Sequence, residues 1–229
     1  MSPPIKAWHF INNDFTIKTD SMKRPIKVHR GQTLVKRGPL ELCERGLHAS
    51  IKPLDAIYYA PGNVVCRVEC SGDVIQGEDK LVCSRRRVLW VVDAERTLHE
   101  FAIWCAKQTL RSNSDLRSIE AVRVKRLWLD GEATGEELKE ASEAAKRTIW
   151  ESCWPFSKLG KRSAYAASWP DPVASAQVAS GQAARLLDEE SFSSLGVVRL
   201  AQNDRLTEML LALPPRRRSI YDLLQQDWP

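Results

Sequence analysis

The hydrophobic pattern changes period once along the chain. From Lys6 to Val92 apolar residues come in short runs or alternate with polar ones, which is the period of strands. Lys6-Ala-Trp-His-Phe-Ile11 is a short apolar run ending in the turn cluster Asn12-Asn13-Asp14. Ile26 and Val28 alternate with Lys27 and His29 ahead of Gly31, and Leu34-Val35 leads to Gly38-Pro39. Val64 to Cys70 alternates cleanly and puts Val64, Cys66, Val68 and Cys70 on one face. Val88-Leu-Trp-Val-Val92 is continuously apolar, the pattern of a strand buried on both faces. Pro53 to Ala60 reads as one helical segment, with Leu54, Ile57 and Tyr58 on a face and Pro61-Gly62 closing it. Roughly five or six strands around one short helix are expected.

At Asp93 the period becomes helical. Asp93 is a candidate N-cap, and Ala94, Leu98, Phe101, Ala102 and Cys105 recur on one face. A second helix is expected from Ser114, with Leu116, Ile119, Val122 and Leu127 inward and Gly131 as its stop. Thr134-Gly-Glu-Glu137 is a capping box, and Leu138, Ala141, Ala144, Ala145 and Thr148 form the stripe behind it, with Pro155 ending the helix. Asp171-Pro172 restarts a helix running through Ala184, and Leu195 to Leu213 gives the last long one before Pro214-Pro215. Ser219 caps a short terminal turn. Alanines let helix axes approach, and Trp104, Trp128, Trp150, Trp154 and Trp169 supply bulk between them. A bundle is the expected architecture and a helical repeat array the alternative.

The fold class is therefore α+β. A small β-rich domain over residues 1–92 is expected to pack against an Ala/Trp-rich helical bundle over 93–229, without a linker between them. With 229 residues, 43% hydrophobic and 28% charged, the chain can bury a real core, which excludes a disordered or fibrous class. No secretory signal and no apolar run of ~18 residues is visible, so a soluble intracellular protein without membrane contact is expected. In such a compartment the six cysteines read as thiols rather than a disulfide framework. Charge is uneven: residues 1–90 carry 15 Lys/Arg against 9 Asp/Glu, and residues 91–229 carry 19 against 20. A mildly basic front half suits an acidic protein or nucleic acid as partner.

Glu41-Leu-Cys43 with Gly46-Leu-His-Ala49, followed by Leu54-Asp-Ala and Tyr59-Ala-Pro-Gly62, carries a resemblance. This stretch resembles a family of uncharacterised phage and prophage proteins with an "LCxxGLHA" core in a small N-terminal domain and an Ala/Trp-rich helical tail. Leu89-Trp-Val-Val-Asp-Ala94 running into Phe101-Ala-Ile-Trp-Cys105 is similar to the junction in that family. The segment from Trp150 to Trp169, where Pro, Lys and Arg intrude, departs from its alanine-rich pattern. The resemblance implies a phage setting in the host cytoplasm and no particular chemistry.

Candidate chemistry collects in a few places. Cys43 and His48 form a nucleophile–base pair if they meet; the structural alternative is a buried Cys and a histidine bonded to backbone in the Gly46 turn. Zinc on Cys43, His48 and a remote pair is a further option, although no CxxC knuckle is present and no metal or cofactor is called for. A pocket formed by His9, Cys43, His48, Ser50 and Glu69 is the candidate ligand site. The order of His9, Ser50 and Glu69 is similar to the nicotinamide cleft of ADP-ribosyltransferases, which would imply NAD, a ribose-holding His9 and a charge-stabilising Glu69. Arg85, Arg86 and Arg87, Arg216, Arg217 and Arg218, and Lys23 with Arg24 are candidate contacts to phosphate or to protein. His99, between Leu98 and Phe101, reads as structural. The expected function is that of a non-enzymatic phage accessory protein binding a host or phage macromolecule, in its sharpest form inhibiting a bacterial defence complex. ADP-ribosyl transfer and direct nucleic-acid binding are the alternatives.

Overall fold

A computed structural model describes residues 3–17, 24–110, 115–152, 155–191 and 195–213. Lys23, Trp154, Arg216 to Arg218 and the Ser219 turn lie outside the described residues. The chain divides into two compact units, the first made of the residues up to Ala94 together with those from Leu210 onward and the second spanning Glu95–Met209. Strands precede helices, so the architecture is α+β.

In the first unit the strands are β1 (Ile5–Ile11), β2 (Thr16–Ile17), β3 (Ile26–Lys27), β4 (Thr33–Val35), β5 (Leu47–Ala49), β6 (Val64–Gln76) and β7 (Leu81–Asp93), with α1 (Pro53–Tyr58) between β5 and β6. The long antiparallel hairpin of β6 and β7 is the spine, turned where the Gly77 N–H donates to the Lys80 carbonyl. β1 pairs with the free edge of β6, while β4 and β5 share the outer edge of β7. Trp8 and Ser50 exchange two backbone hydrogen bonds of 2.7 and 2.9 Å, so β5 also meets β1 and the sheet curls until its edges touch. Inside the curl, Val64, Cys66, Val68 and Cys70 are all buried with Ala7, Leu47 and Cys83, as their alternation requires.

Two expectations fail locally here. Val88–Val92 is not buried on both faces: Trp90 pairs with Arg67 and Val88 with Val68, which leaves Leu89 as a bulge, and Leu89, Trp90 and Val92 stay partly exposed. Tyr58 is 73% exposed, because α1 buries only Pro53, Leu54, Ala56 and Ile57.

The second unit consists of α2 (Glu95–Leu110), α3 (Leu116–Asp130), α4 (Gly135–Glu151), α5 (Pro155–Ala167), α6 (Pro172–Ser191) and α7 (Leu195–Leu211) up to Met209. α2 packs on α6, α5 and α3, and α4 on α3 and α5. Alanines form the contacts: Ala102, Ala106, Ala121, Ala145, Ala164, Ala179 and Ala183 are fully buried. The capping box forms, with the Thr134 hydroxyl accepting from the Glu137 N–H and the Glu137 carboxylate accepting from the Thr134 N–H at 2.7 Å. Asp171 likewise caps α6, accepting from the Ala174 N–H at 2.6 Å.

Several helical expectations are corrected. Asp93, the expected N-cap, is the last residue of β7 and accepts from the Asn63 side chain at 2.8 Å, while α2 begins only at Glu95. Ser114, the expected start of the second helix, lies outside the described residues; Asp115 caps α3, and Leu116 and Ile119 face solvent while Ser118, Ala121, Val122, Val124 and Lys125 turn inward. Pro155 opens α5 instead of merely ending α4, a first-turn position where its missing N–H costs nothing. Trp150 is 81% exposed rather than filling the space between helices.

Candidate functional site

The turn between β4 and β5 builds the site. Glu41 and Arg45 face each other across it, each N–H donating to the other's carbonyl at 2.8 Å. Cys43 at the tip takes a left-handed φ of 76°, and Gly46 follows at φ 139°. A β-carbon at Gly46 would run into Val82 Cγ2, so glycine is what lets the turn lie against β7. So folded, the Cys43 N–H donates to His48 Nε2 at 3.1 Å. That bond occupies the acceptor nitrogen of the ring and places the proton of the neutral imidazole on Nδ1. His48 cannot at the same time accept a proton from the Cys43 thiol at Nε2. The backbone-bonded histidine is thus the form observed, although Cys43 is exposed rather than buried.

β1 brings His9 to the same place. Burial, then the Arg86 guanidinium and His48, holds His9 well below the ordinary imidazole range. Burial, then Lys80 and Arg86, lowers His48 as well, against an opposing contribution from the Glu41 carbonyl. Both rings are therefore neutral at neutral pH.

Arg86 is the unusual member. It stands in the middle of β7, opposite Leu34 on one side and Cys70 on the other, and is 2% exposed. Nη1 donates to the His48 carbonyl, while Nε–H has no hydrogen-bond partner. None of the ion pairs formed among the described residues includes it. The groups that favour its charge are the Cys66, Cys70 and Cys83 sulfurs. Of these, burial pushes the Cys66 thiol up to about 12 and so keeps it neutral. A buried guanidinium with no carboxylate is costly to keep, and an anion taken from solution would offset that cost.

Space for such an anion is present. A cavity of about 910 Å³ is lined by His9, His48 and Arg86 together with Lys36 and Arg45, and Glu44 is the one carboxylate among its described lining residues. A second space of about 260 Å³ adjoins it, where His9, Cys43, His48 and Ser50 meet Tyr59 and Lys80. The Lys80 ammonium lies 4.1 Å above the Tyr59 ring, whose hydroxyl donates to Asp79.

Four of the five expected pocket residues therefore converge: His9, Cys43, His48 and Ser50. Glu69 does not. It pairs with Lys6 across β1 and β6, whereas His9 pairs with Cys66, so strand parity places Glu69 on the other face of the sheet. The arginine triplet is not a single patch either. Arg85 and Arg87 are exposed while Arg86 points inward, the ordinary alternation of a strand. Arg24 is exposed and outside both cavities. Among the described residues no group of three or more His, Cys, Asp or Glu is placed to hold a metal ion.

Residues 5–100 match the family model of a domain of unknown function, DUF7666. No curated protein and no solved structure matches the chain. The matched segment contains every residue of the cavity, and the helical unit beyond residue 100 lies outside it.

Sequence reasoning missed Lys36, Arg45, Tyr59 and Lys80, and it placed Arg86 on the surface. The available signal for Arg86 was the strand period itself, since three consecutive arginines in a strand cannot share a face.

Proposed function

We propose that the chain is a non-enzymatic binding protein whose first unit recognises a small phosphate-bearing ligand through Arg86. The carrying observation is a guanidinium 2% exposed, without a carboxylate partner among the described residues, at the wall of a cavity large enough for a nucleotide-sized molecule. Guanidinium forks match phosphate oxygens, Lys36 and Arg45 add positive charge at the same cavity, and the two neutral imidazoles add no like-charge repulsion to the guanidinium. A binding role is favoured over catalysis because His48 Nε2 is occupied by a backbone N–H and Glu69 lies across the sheet from His9. Both facts weigh against thiol catalysis by Cys43 with His48 and against ADP-ribosyl transfer by His9 with Glu69.

Titration calorimetry with inorganic phosphate and mononucleotides is the direct test. Arg86→Met should weaken binding at least about tenfold, since hydrogen bonds to a charged group contribute about 1.5–3 kcal/mol. Its stability should stay within about 2 kcal/mol of the parent, because removing an unpaired buried charge offsets the lost bond to the His48 carbonyl. No saturable binding by the parent chain, or equal binding by the variant, would overturn the assignment.

The turn carrying the resemblance to phage and prophage proteins, Glu41–Cys43 with Gly46–Ala49, is also the turn that walls the cavity. This coincidence supports an accessory role in phage, in which the recognised anion belongs to a host or phage component such as a defence complex. Capture from nuclease-treated host extract by the parent chain, lost with Arg86→Met, is the expected result. Capture indifferent to that substitution would separate the partner from this cavity.

A further inference from the structure

The helical unit carries a second, chemically different cleft. It has a volume of about 280 Å³ and lies among α4, α5, α6 and Trp169. Three cations border it, Lys146, Lys158 and Arg162, and no carboxylate lines it among the described residues. Lys146 also reaches Glu143 at 3.6 Å along its own helix, an exposed pair that holds it only weakly. Trp150 stands at one wall, 81% exposed. Tyr165 and Trp169 meet edge to face, with ring centroids 5.4 Å apart. Two polar atoms of opposite character are buried here without a partner: the Trp169 Nε1–H, a donor, and Gln182 Oε1, an acceptor.

Each feature asks for a different part of a ligand. An exposed tryptophan invites a flat ring to stack on it. Unopposed cations attract a polyanion. An orphan donor and an orphan acceptor together match an edge that offers both, as a nucleobase does. We propose that this cleft binds single-stranded nucleic acid, with a base stacked on Trp150, its edge at Trp169 Nε1 and Gln182 Oε1, and the backbone phosphates on Lys158, Arg162 and Lys146. An acidic peptide would satisfy the cations alone. A duplex keeps its base faces stacked and its edges paired, so it would leave Trp150 and the orphan pair unused. This site is independent of the Arg86 cavity.

The test uses the full chain and fluorescein-labelled 12-nucleotide DNA and RNA single strands, followed by anisotropy. A duplex of the same sequence and a poly-glutamate peptide are run beside them. Saturable binding is expected, tighter for single strand than for duplex or peptide, with tryptophan emission quenched on binding. Trp150→Ala should weaken it about five- to a hundredfold, the range for one stacked base. That side chain is exposed, so the fold should be unaffected, as an unchanged thermal midpoint will show. Log affinity should fall with log salt at a slope of about −2 if three phosphates are neutralised, and Arg162→Ala should reduce the slope by about 0.7. Absence of binding at low salt, affinity indifferent to Trp150→Ala, or preference for duplex or peptide would each overturn the proposal. So would loss of binding on reversing Arg85 and Arg87 to glutamate, which would move the contact to the strand.

Discussion

At the scale of single residues, the most unusual physical chemistry outside the two clefts is in the pair Lys125 and His99. Lys125 is fully buried on α3, yet its ammonium donates to the Trp169 carbonyl at 2.8 Å and lies 4.1 Å over the Trp128 ring. Burial lowers it from 10.5 to about 7, with Glu95 opposing. His99, edge-on to Trp128, is lowered from 6.5 to about 3 by burial and then by Lys125, against the Pro170 carbonyl. Both folded values lie below the unfolded ones, so between them the unfolded chain binds the extra proton and stability rises with pH. For His99 the stabilisation is full above 6.5 and declines toward pH 3, by at most about 1.4 kcal/mol per pH unit. For Lys125 stability should climb from pH 7 upward. Cys66 and Cys105, both raised by burial, and Cys70, raised by its hydrogen bond with Cys83 and by burial, oppose this as free thiols ionise near about pH 8.5, because each folded thiol keeps the proton that the unfolded one loses. Urea midpoints at closely spaced pH values from 7 to about 8, below the range in which the thiols ionise appreciably, should therefore rise for the parent and fail to rise for Lys125→Met. A flat parent profile would place the ammonium in solvent contact.

At the scale of elements, local chemistry decides some boundaries and tertiary packing decides others. The α4 start is local. Thr134→Ala removes one half of the capping box and should cost about 1 kcal/mol, measurable as a shifted denaturant midpoint at constant slope. That helix start, the Asp171-Pro172 start of α6 and the alternation of Val64 to Cys70 were all legible in sequence, because each depends on residues within a few positions of one another. Three features were not legible for the opposite reason. The bulge at Leu89 arises from the register of β6 against β7, so a run apolar at every position hid a half-exposed strand. α3 buries Lys125 and Ser118 and exposes Leu116 and Ile119, since a partner for the ammonium exists only after α3 and the chain around Trp169 have come together. α5 was hidden by Pro155 and its basic residues, which mark a helix start and a cation-lined cleft rather than a loop. The candidate pocket was legible to the extent that His9, His48, Cys43 and Ser50 belong to strand ends and one turn. Arg86 was concealed because its sequence neighbours are also arginines.

At the scale of the molecule, the two proposed binding sites differ in chemistry and fall one in each compact unit. The first presents one buried guanidinium in a roomy cavity and should select a compact anion. The second presents stacking surface, spread cations and an orphan edge and should select a flexible polyanion with rings. Hydrogen exchange distinguishes them within one sample, since each ligand stabilises only the structure it binds. A phosphate-bearing small molecule at about one hundred times its Kd would add about 2.7 kcal/mol to the state it binds. Protection should then concentrate in β1, the turn from Glu41 to Gly46, and β7 around Arg86. A single-stranded oligonucleotide should instead protect the amides of α4 and α6 beside Lys146, Trp150 and Gln182. Protection by both ligands at one and the same unit would show that a single site serves both. It would also make the nucleic acid's phosphates, rather than a small molecule, the anion that Arg86 awaits.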